Sequence, residues 1–494
     1  MRKLLVLAVA GVLAWLPASP LFAVDLKVDG DFRIRGFYNN NLTDANSSIK
    51  DNNAYNSERF IINFVAKSGT GPVNVEGVVT TDLTSSNGTG NSRFGNVAFG
   101  PNSSSAVTCG GGTPTACTQN TFTILQAYIK LNTPVASFAA GRQVFKLGHG
   151  LLVADAVDAF VLDVPLGAAK LTLGDLKIFD STRSAGSGGV FIGNGTSGLT
   201  GGDTDLYVAN IGVKPNPTTK ADLFVGLYKD RTPTFISQPN PALPAYGTSA
   251  NAEALIFGAA GETKLGIVHG IFEADLIRGV VKDPLTRGAL LQGHNIYVGG
   301  DVNVMFVNLG LSLVHASGQD AGDLSSGKRT NINGINGDFP LGIIVTNVGA
   351  RSPAPVDGTC PSFSGGGLGG RPGCFAGSGL NTIKFAAIAT PPALPKLGLE
   401  FDVLYNKAAR DRPIQSAAGS PNFIKGGDEI GTELDFFLRY AITKELSFTA
   451  GLGMLFPGNW FEAPTAATVG IGGNPTTQNA SNLTVGVLEM RYQF

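Results

Sequence analysis

Long apolar runs, amphipathic helical periodicity and closely spaced cysteine ligands are all missing from this chain. Beyond Ala23 no apolar stretch is long enough for a transmembrane helix, which excludes a helical membrane bundle. No segment of convincing length repeats its apolar residues every 3 to 4 positions, as a soluble domain of 494 residues would somewhere. Four cysteines form two local pairs, Cys109 with Cys117 and Cys360 with Cys374, in loops rich in Gly, Ser, Thr and Pro. Neither pair has Cys-x-x-Cys spacing and no Cys-x-x-Cys-His occurs, so no metal site, redox site, attached haem or other cofactor is read from them. Two loop disulfides in an oxidising compartment are the expectation. Charge is scarce and balanced: 36 basic and 37 acidic residues make up 15% of the chain, which argues against nucleic acid as a partner.

Catalytic groups are equally sparse. The four histidines, His149, His269, His294 and His315, are scattered over separate strands or loops. A lipid-face hydrolase would need Ser, His and a carboxylate brought together. His149, in Gly148-His149-Gly150, reads more readily as part of a tight loop than as a base, so no enzyme is expected. Asp320 and Asp323 lack the spacing of a calcium loop.

What the chain has is alternation. Apolar residues make up 43% of it and occur at every second position rather than in blocks, among 67 glycines. Leu26, Val28, Gly30, Phe32, Ile34, Gly36 and Tyr38 alternate with Lys27, Asp29, Asp31, Arg33 and Arg35. Such a strand cannot enter a dry core without burying its charges, whereas oil on one side and a water-filled lumen on the other suit it. Phe60, Ile62, Phe64 and Ala66 alternate with Arg59, Asn63 and Lys67, and the turn Ser68-Gly69-Thr70-Gly71 leads into Val73, Val75, Gly77 and Val79. Long loops and short turns then separate strands near 122–132, 135–146, 156–164, 169–179, 205–214, 220–229, 252–261, 265–277, 292–302 and 305–316. After a loop over about 317–380 come strands near 381–390, 398–408, 428–442, 446–456 and 482–494. The total predicts an all-β, transmembrane, antiparallel up-and-down barrel of about 18 strands, with the Gly-rich tract 365–370 inside one external loop.

Both ends support export. Arg2 and Lys3, the apolar run Leu4 to Leu16 and the small Ala23 predict a cleaved signal over 1–23, leaving a barrel over 24–494 in the bacterial outer membrane. Without Arg2 and Lys3 the remainder carries 34 basic against 37 acidic groups. The final strand places Tyr492 and Phe494 on its apolar face, where they are expected to close the barrel against the first strand. The expected partners are outer-membrane lipid, the barrel-assembly machinery and a hydrophilic solute, with the chain a monomer.

Four stretches, in order, carry a resemblance: Gln126-Ala127-Tyr128; Gly141-Arg142-Gln143 followed by Gly150-Leu151-Leu152; Asp338-Phe339-Pro340-Leu341-Gly342; and Gly431-Thr432-Glu433-Leu434-Asp435. They resemble the alginate-export family of outer-membrane barrels. The resemblance implies an 18-stranded monomeric channel with an arginine-bearing lumen that passes an anionic polysaccharide. The lumen charges depart from that picture, so the fold carries over better than the substrate.

Inward positions on the early strands are Arg33, Arg35, Arg59, Lys67 and Lys130; those on the late strands are Glu400, Asp402, Glu433, Asp435, Arg439, Glu489 and Arg491. As opposed walls they would set ion preference. As neighbours across the closing seam, Arg33 or Arg35 with Glu489 would instead be local ion pairs worth only some tenths of a kcal/mol each. Arg142 is expected in the lumen, with a bulge or a reversed phase at Gly141 bringing it there. The expected function is a porin-like channel for charged or saccharide solutes; the alternative is a structural barrel housing a partner protein or cytochrome.

Overall fold

Alternating side chains demand a sheet with two unlike faces, and a sheet with one oily face has no stable free edge, so it closes. The computed structural model describes residues 24–40, 52–68, 71–86, 97–99, 120–179, 204–230, 251–282, 289–318, 323, 328–330, 341–345, 379–411, 413–415, 423–425, 427–461 and 481–494. The expected signal 1–23, all four cysteines, the tract 365–370 and Asp338-Phe339-Pro340 lie outside them.

The main sheet has 20 strands, of which Val97–Phe99 and Lys328–Arg329 are short pieces laid parallel on a neighbour. The other 18 form the barrel. In order they are β1 (Val24–Asn40), β2 (Asn53–Ser68), β3 (Asn74–Ser86), β4 (Asn120–Asn132), β5 (Ser137–Lys146), β6 (Ala154–Leu166), β7 (Ala169–Phe179), β8 (Thr204–Asn216) and β9 (Thr219–Asp230). They continue as β10 (Asn251–Leu265), β11 (Val268–Lys282), β12 (Ala289–Val304), β13 (Val307–Ala316), β14 (Leu380–Ala389), β15 (Leu397–Lys407), β16 (Glu429–Ala441), β17 (Leu446–Pro457) and β18 (Leu483–Gln493). Each pairs antiparallel with its chain neighbours, and β18 pairs with β1 from Asn40↔Thr484 to Asp31↔Gln493. Each strand thus has neighbours on both sides, which satisfies the backbone where no water reaches it.

The outer surface is a belt of exposed apolar side chains, among them Val28, Ile34, Phe160, Leu223, Phe257, Val298, Leu313, Phe401 and Leu488. Leu223 is 64% exposed, a wasteful position in water and the ordinary one against hydrocarbon. The β12–β13 turn falls at Met305 and Phe306 rather than at 303–304, because Val304 and Val307 still pair and Met305 takes a left-handed φ of 56°.

Arg142 is not in the lumen. It pairs in register with Ala127 and Asp158, with no shift along β5, and its face is that of Ala140, Val144 and the half-exposed Phe160. Gly141 has φ 123°, yet no bulge reverses the alternation. Instead a row of alternating charge runs around the outside, one residue per strand: Arg142, Asp158, Lys177, Asp205, Lys229 and Glu253. Lys177 Nζ and Asp205 Oδ1 are 2.5 Å apart, and Arg142 Nη1 lies 3.8 Å from Asp158 Oδ1. Four of the six stand within three residues of a long connection, where a charge on the lipid face costs about 0–1 kcal/mol instead of the 2–4 of the midplane.

Gly431 sits where the register of β15 and β16 shifts, with φ 126°, and a Cβ there would lie 2.0 Å from the Phe456 carbonyl oxygen. Gly431→Ala is therefore expected to destabilise the barrel by about 1–3 kcal/mol or more, read as an earlier loss of heat-resistant migration on gels.

Candidate functional site

Inside the barrel the wall is not lined by water alone. Two segments fold inward, 147–153 between β5 and β6 and 341–345 between β13 and β14, and each builds an apolar cluster on the inner wall. Leu147, Leu152 and Val153 pack with Val157, Leu176, Leu206, Tyr228, Ile256 and Ile277. Leu341, Ile343, Ile344 and Val345 pack with Leu380, Leu404, Phe437, Leu455, Trp460 and Leu483. Tyr297 on β12 stands between them, against the second cluster and with its ring centre 6.2 Å from that of His149.

A segment laid on a wall whose own amides are already paired must find other acceptors for its N–H groups. Both segments find them at a Glu-x-Asp pair, two residues apart and hence on one face of a strand, the second segment using both carboxylates and the first the Glu alone. On β16, Glu433 accepts from Ile344 N at 2.5 Å and Val345 N at 2.9 Å, and Asp435 accepts from Ile343 N at 2.9 Å. Lys384 on β14 donates to the Leu341 carbonyl at 2.8 Å and pairs with Asp402 at 2.6 Å. On β11, Glu273 accepts from the backbone of His149 and Leu151, beside Asp275, which accepts from Asn295 at 3.2 Å. His149 Nε2 lies 3.2 Å from the Gly261 carbonyl, so its ring is part of the same tie. Gly148 is required there: φ is 52° and a Cβ would lie 2.8 Å from the Glu273 carboxyl.

Consequently Glu433, Asp435 and Asp402, expected to face solute, are at most 1% exposed: the first two hold the segment, and Asp402 pairs with the lysine that reaches it. The segment anchor Glu273 and its neighbour Asp275 were not among the expected site residues. Their signal was present in the sequence: Glu273-Ala274-Asp275 repeats the Glu433-Leu434-Asp435 pattern, inward carboxyls around an outward apolar residue.

Of the other expected inward residues, Arg33, Arg35, Arg59, Glu489 and Arg491 lie on β1, β2 and β18, around the closing seam. Arg33 stands in register with Arg59 on one side and Arg491 on the other, so three guanidiniums share one rung. Asp31 bridges Arg33 and Arg491, and Arg59 pairs with Asp82 at 2.8 Å. Arg35 and Glu489 also meet in register at 4.0 Å, and Arg439 pairs with Glu400 while lying over the Phe437 ring. Lys67 and Lys130 stand opposite Glu76 on β3, nearer the short turns. The basic and acidic groups are therefore interleaved neighbours rather than opposed walls. In four of the pairs the cation is the more exposed member: side-chain exposure is 34% for Arg491 against 12% for Asp31, and 46% for Arg439 against 13% for Glu400; Arg33 with Asp31 and Arg59 with Asp82 are ordered the same way. Arg35 with Glu489 reverses the order, at 5% against 20%.

Below Ile343 is a cleft of about 410 Å³ lined by Phe37, Phe437, Val485 and Val487 and, further along the same strands toward the 390–396 turn, by Arg439, Glu489 and Arg491, with Lys396. Tyr492 and Phe494 complete the seam, the Phe494 backbone exchanging two hydrogen bonds with Gly30 at 3.0 and 3.1 Å.

Three solved structures from Pseudomonas aeruginosa share this architecture. OccK9 (OpdG) superposes with a TM-score of 0.55 at 11% identity, covering 95% of this chain and 98% of its own. OccK8 (OprE) gives 0.52 at 12% over 95% and 98%, and OpdL gives 0.50 at 11% over 95% and 99%. No family model and no curated protein matches the chain. The chain has the fold of the 18-stranded outer-membrane porins.

Proposed function

We propose that this barrel is an outer-membrane channel through which small hydrophilic solutes, anions in preference to cations, pass a lumen narrowed by two inward segments. Residues 1–23 serve as a removable export signal, and the chain works as a monomer inserted by the barrel-assembly machinery. One observation carries the preference: around the cleft, carboxylates are tucked behind the guanidiniums they neutralise, so the surface met by a solute is more basic than the net charge of the wall. Fixed charges lining a narrow passage set which ions enter, because the low-dielectric wall focuses their field. The apolar flank formed by Phe37 and Phe437 suits a solute with a hydrocarbon part beside its charge.

The resemblance to the alginate-export family points instead to an anionic polysaccharide. The same arginines would serve it, but a polymer needs a wider bore than one crossed by 147–153 and 341–345. A lumen occupied by a partner protein or cytochrome would require both segments to leave their anchors.

Reversal potentials across planar bilayers test the reading. Wild type in a salt gradient is expected to favour the anion, and Arg439→Gln with Arg491→Gln to lower that preference by about half or more. A cation-preferring wild type, or a preference indifferent to both substitutions, would remove the basic rung from the account.

A further inference from the structure

Two histidines that look unrelated in the sequence meet on the outer face of the barrel. His294 on β12 and His315 on β13 stand at the long-connection end of the apolar belt, just beyond Leu276, Ile296, Leu313 and Ile383. Their Nε2 atoms are 3.0 Å apart while the ring centres are 4.9 Å apart, so the nitrogens occupy the facing edges. The tautomer of His315 follows from its other neighbour. The Asn381 amide nitrogen points to the Ala408 carbonyl at 3.5 Å, which turns its oxygen toward His315 Nδ1 at 2.6 Å. An amide oxygen only accepts, so Nδ1 carries the proton and Nε2 of the neutral ring is a bare lone pair aimed at His294. An imidazole whose far N–H is held by an oxygen is how proteins orient a metal ligand.

We propose that His294 and His315 form a two-nitrogen site for a divalent transition metal of tetragonal preference, copper(II) or nickel(II), completed by water. With metal–nitrogen bonds of about 2.0–2.1 Å, two nitrogens lie about 2.9 Å apart at a right angle and about 3.3 Å apart at a tetrahedral one. The observed separation matches the right angle. Imidazole suits these metals, and of the first-row divalent ions copper(II) binds such donors most strongly. The site also has a structural position that matters. The His294 N–H donates to Ser317 Oγ at 3.0 Å, and the His294 carbonyl accepts from the Ser317 N–H at 2.9 Å. Ser317 is where the chain leaves β13 for the connection that returns as 341–345, so a bound ion sits at the root of that connection. Arg278 and Arg410 add positive charge to the surroundings of His294. They weaken the site at low salt, and a buffer of high ionic strength offsets them.

The test is titration of the untagged, detergent-solubilised barrel with copper(II) at high salt, followed by calorimetry and electron paramagnetic resonance. Wild type is expected to bind one equivalent with a two-nitrogen hyperfine pattern. His294→Ala and His315→Ala should each weaken binding by about tenfold or more, and Asn381→Leu, which leaves both ligands in place, by a smaller factor. Heat-resistant gel migration confirms that each variant is folded, and His294→Gln serves if the alanine variant is not. Uptake that is the same in wild type and both histidine variants, or no uptake by wild type, would mean that the contact is an N–H to N hydrogen bond and would overturn the assignment.

Discussion

Glu433→Ala is expected to convert a single small conductance level into a channel that spends much of its time at a larger one. The Ile344 and Val345 amides lose the carboxylate oxygens that accept from them at 2.5 and 2.9 Å in the wild type. A buried donor left unsatisfied costs about 1–3 kcal/mol, so the two together remove about 2–6 kcal/mol from the inward position. That is enough to shift an equilibrium between inward and released states by a factor of ten or more. The apolar contacts of Leu341, Ile343 and Ile344 remain and pull the segment back, so flicker between levels is expected rather than a permanently wide pore. Glu433→Gln keeps one acceptor oxygen but sets an NH2 group against the second amide, and should fall between. Glu273→Ala acts on 147–153 by the same logic. A folded Glu433→Ala barrel with the step size and gating of wild type would show that apolar packing alone holds the segment.

Gly30→Val should cost the barrel its closure. Phe494 lies across Gly30 so closely that a Cβ there would stand 2.4 Å from its ring tip and 2.9 Å from the Ile61 carbonyl oxygen. The ring cannot stay. Its contacts with Phe60 and Tyr492, at 6.3 and 6.0 Å between centres, go with it. Each such aromatic pair is worth about 0.5–1.5 kcal/mol, and the two Gly30–Phe494 backbone bonds loosen as well. An aromatic ring covering a cross-strand glycine is a recognised way to pin register, and here it pins the seam on which closure depends. The folded fraction after refolding into detergent, read by gel migration, is expected to fall sharply for Gly30→Val and for removal of Phe494. Gly77→Ala is the control, because a Cβ there meets nothing nearer than 4.0 Å. Equal loss in the control, or none at Gly30, would refute the role given to the ring.

Much of this architecture is legible in the residues alone. Leu26 to Tyr38 alternate with five charged residues, and that pattern admits one fold class; eighteen such stretches with short turns between pairs give the barrel its strand count. Arg142 shows where the reading stopped. Strict alternation from Phe138 and Ala140 puts it on the lipid face, and a bulge or reversed phase at Gly141 is the local way to spare that face a charge. The neighbouring strands solve the problem differently, by supplying Asp158, Lys177 and Asp205 in register. His294 and His315 are likewise 21 residues apart in the chain and on different strands, and only the β12–β13 pairing joins them.

The period of two settled, from local chemistry, which side chains face oil and which face the lumen, because successive residues of a strand must point to opposite sides. Whether an inward carboxylate meets solute is not a local matter. Glu433, Asp435 and Glu273 lie beneath segments that return from 88 or more residues away to bring amides needing an acceptor. Tertiary folding alone therefore divided the inward charges into anchors and wall, since burial depends on what comes to rest above a side chain.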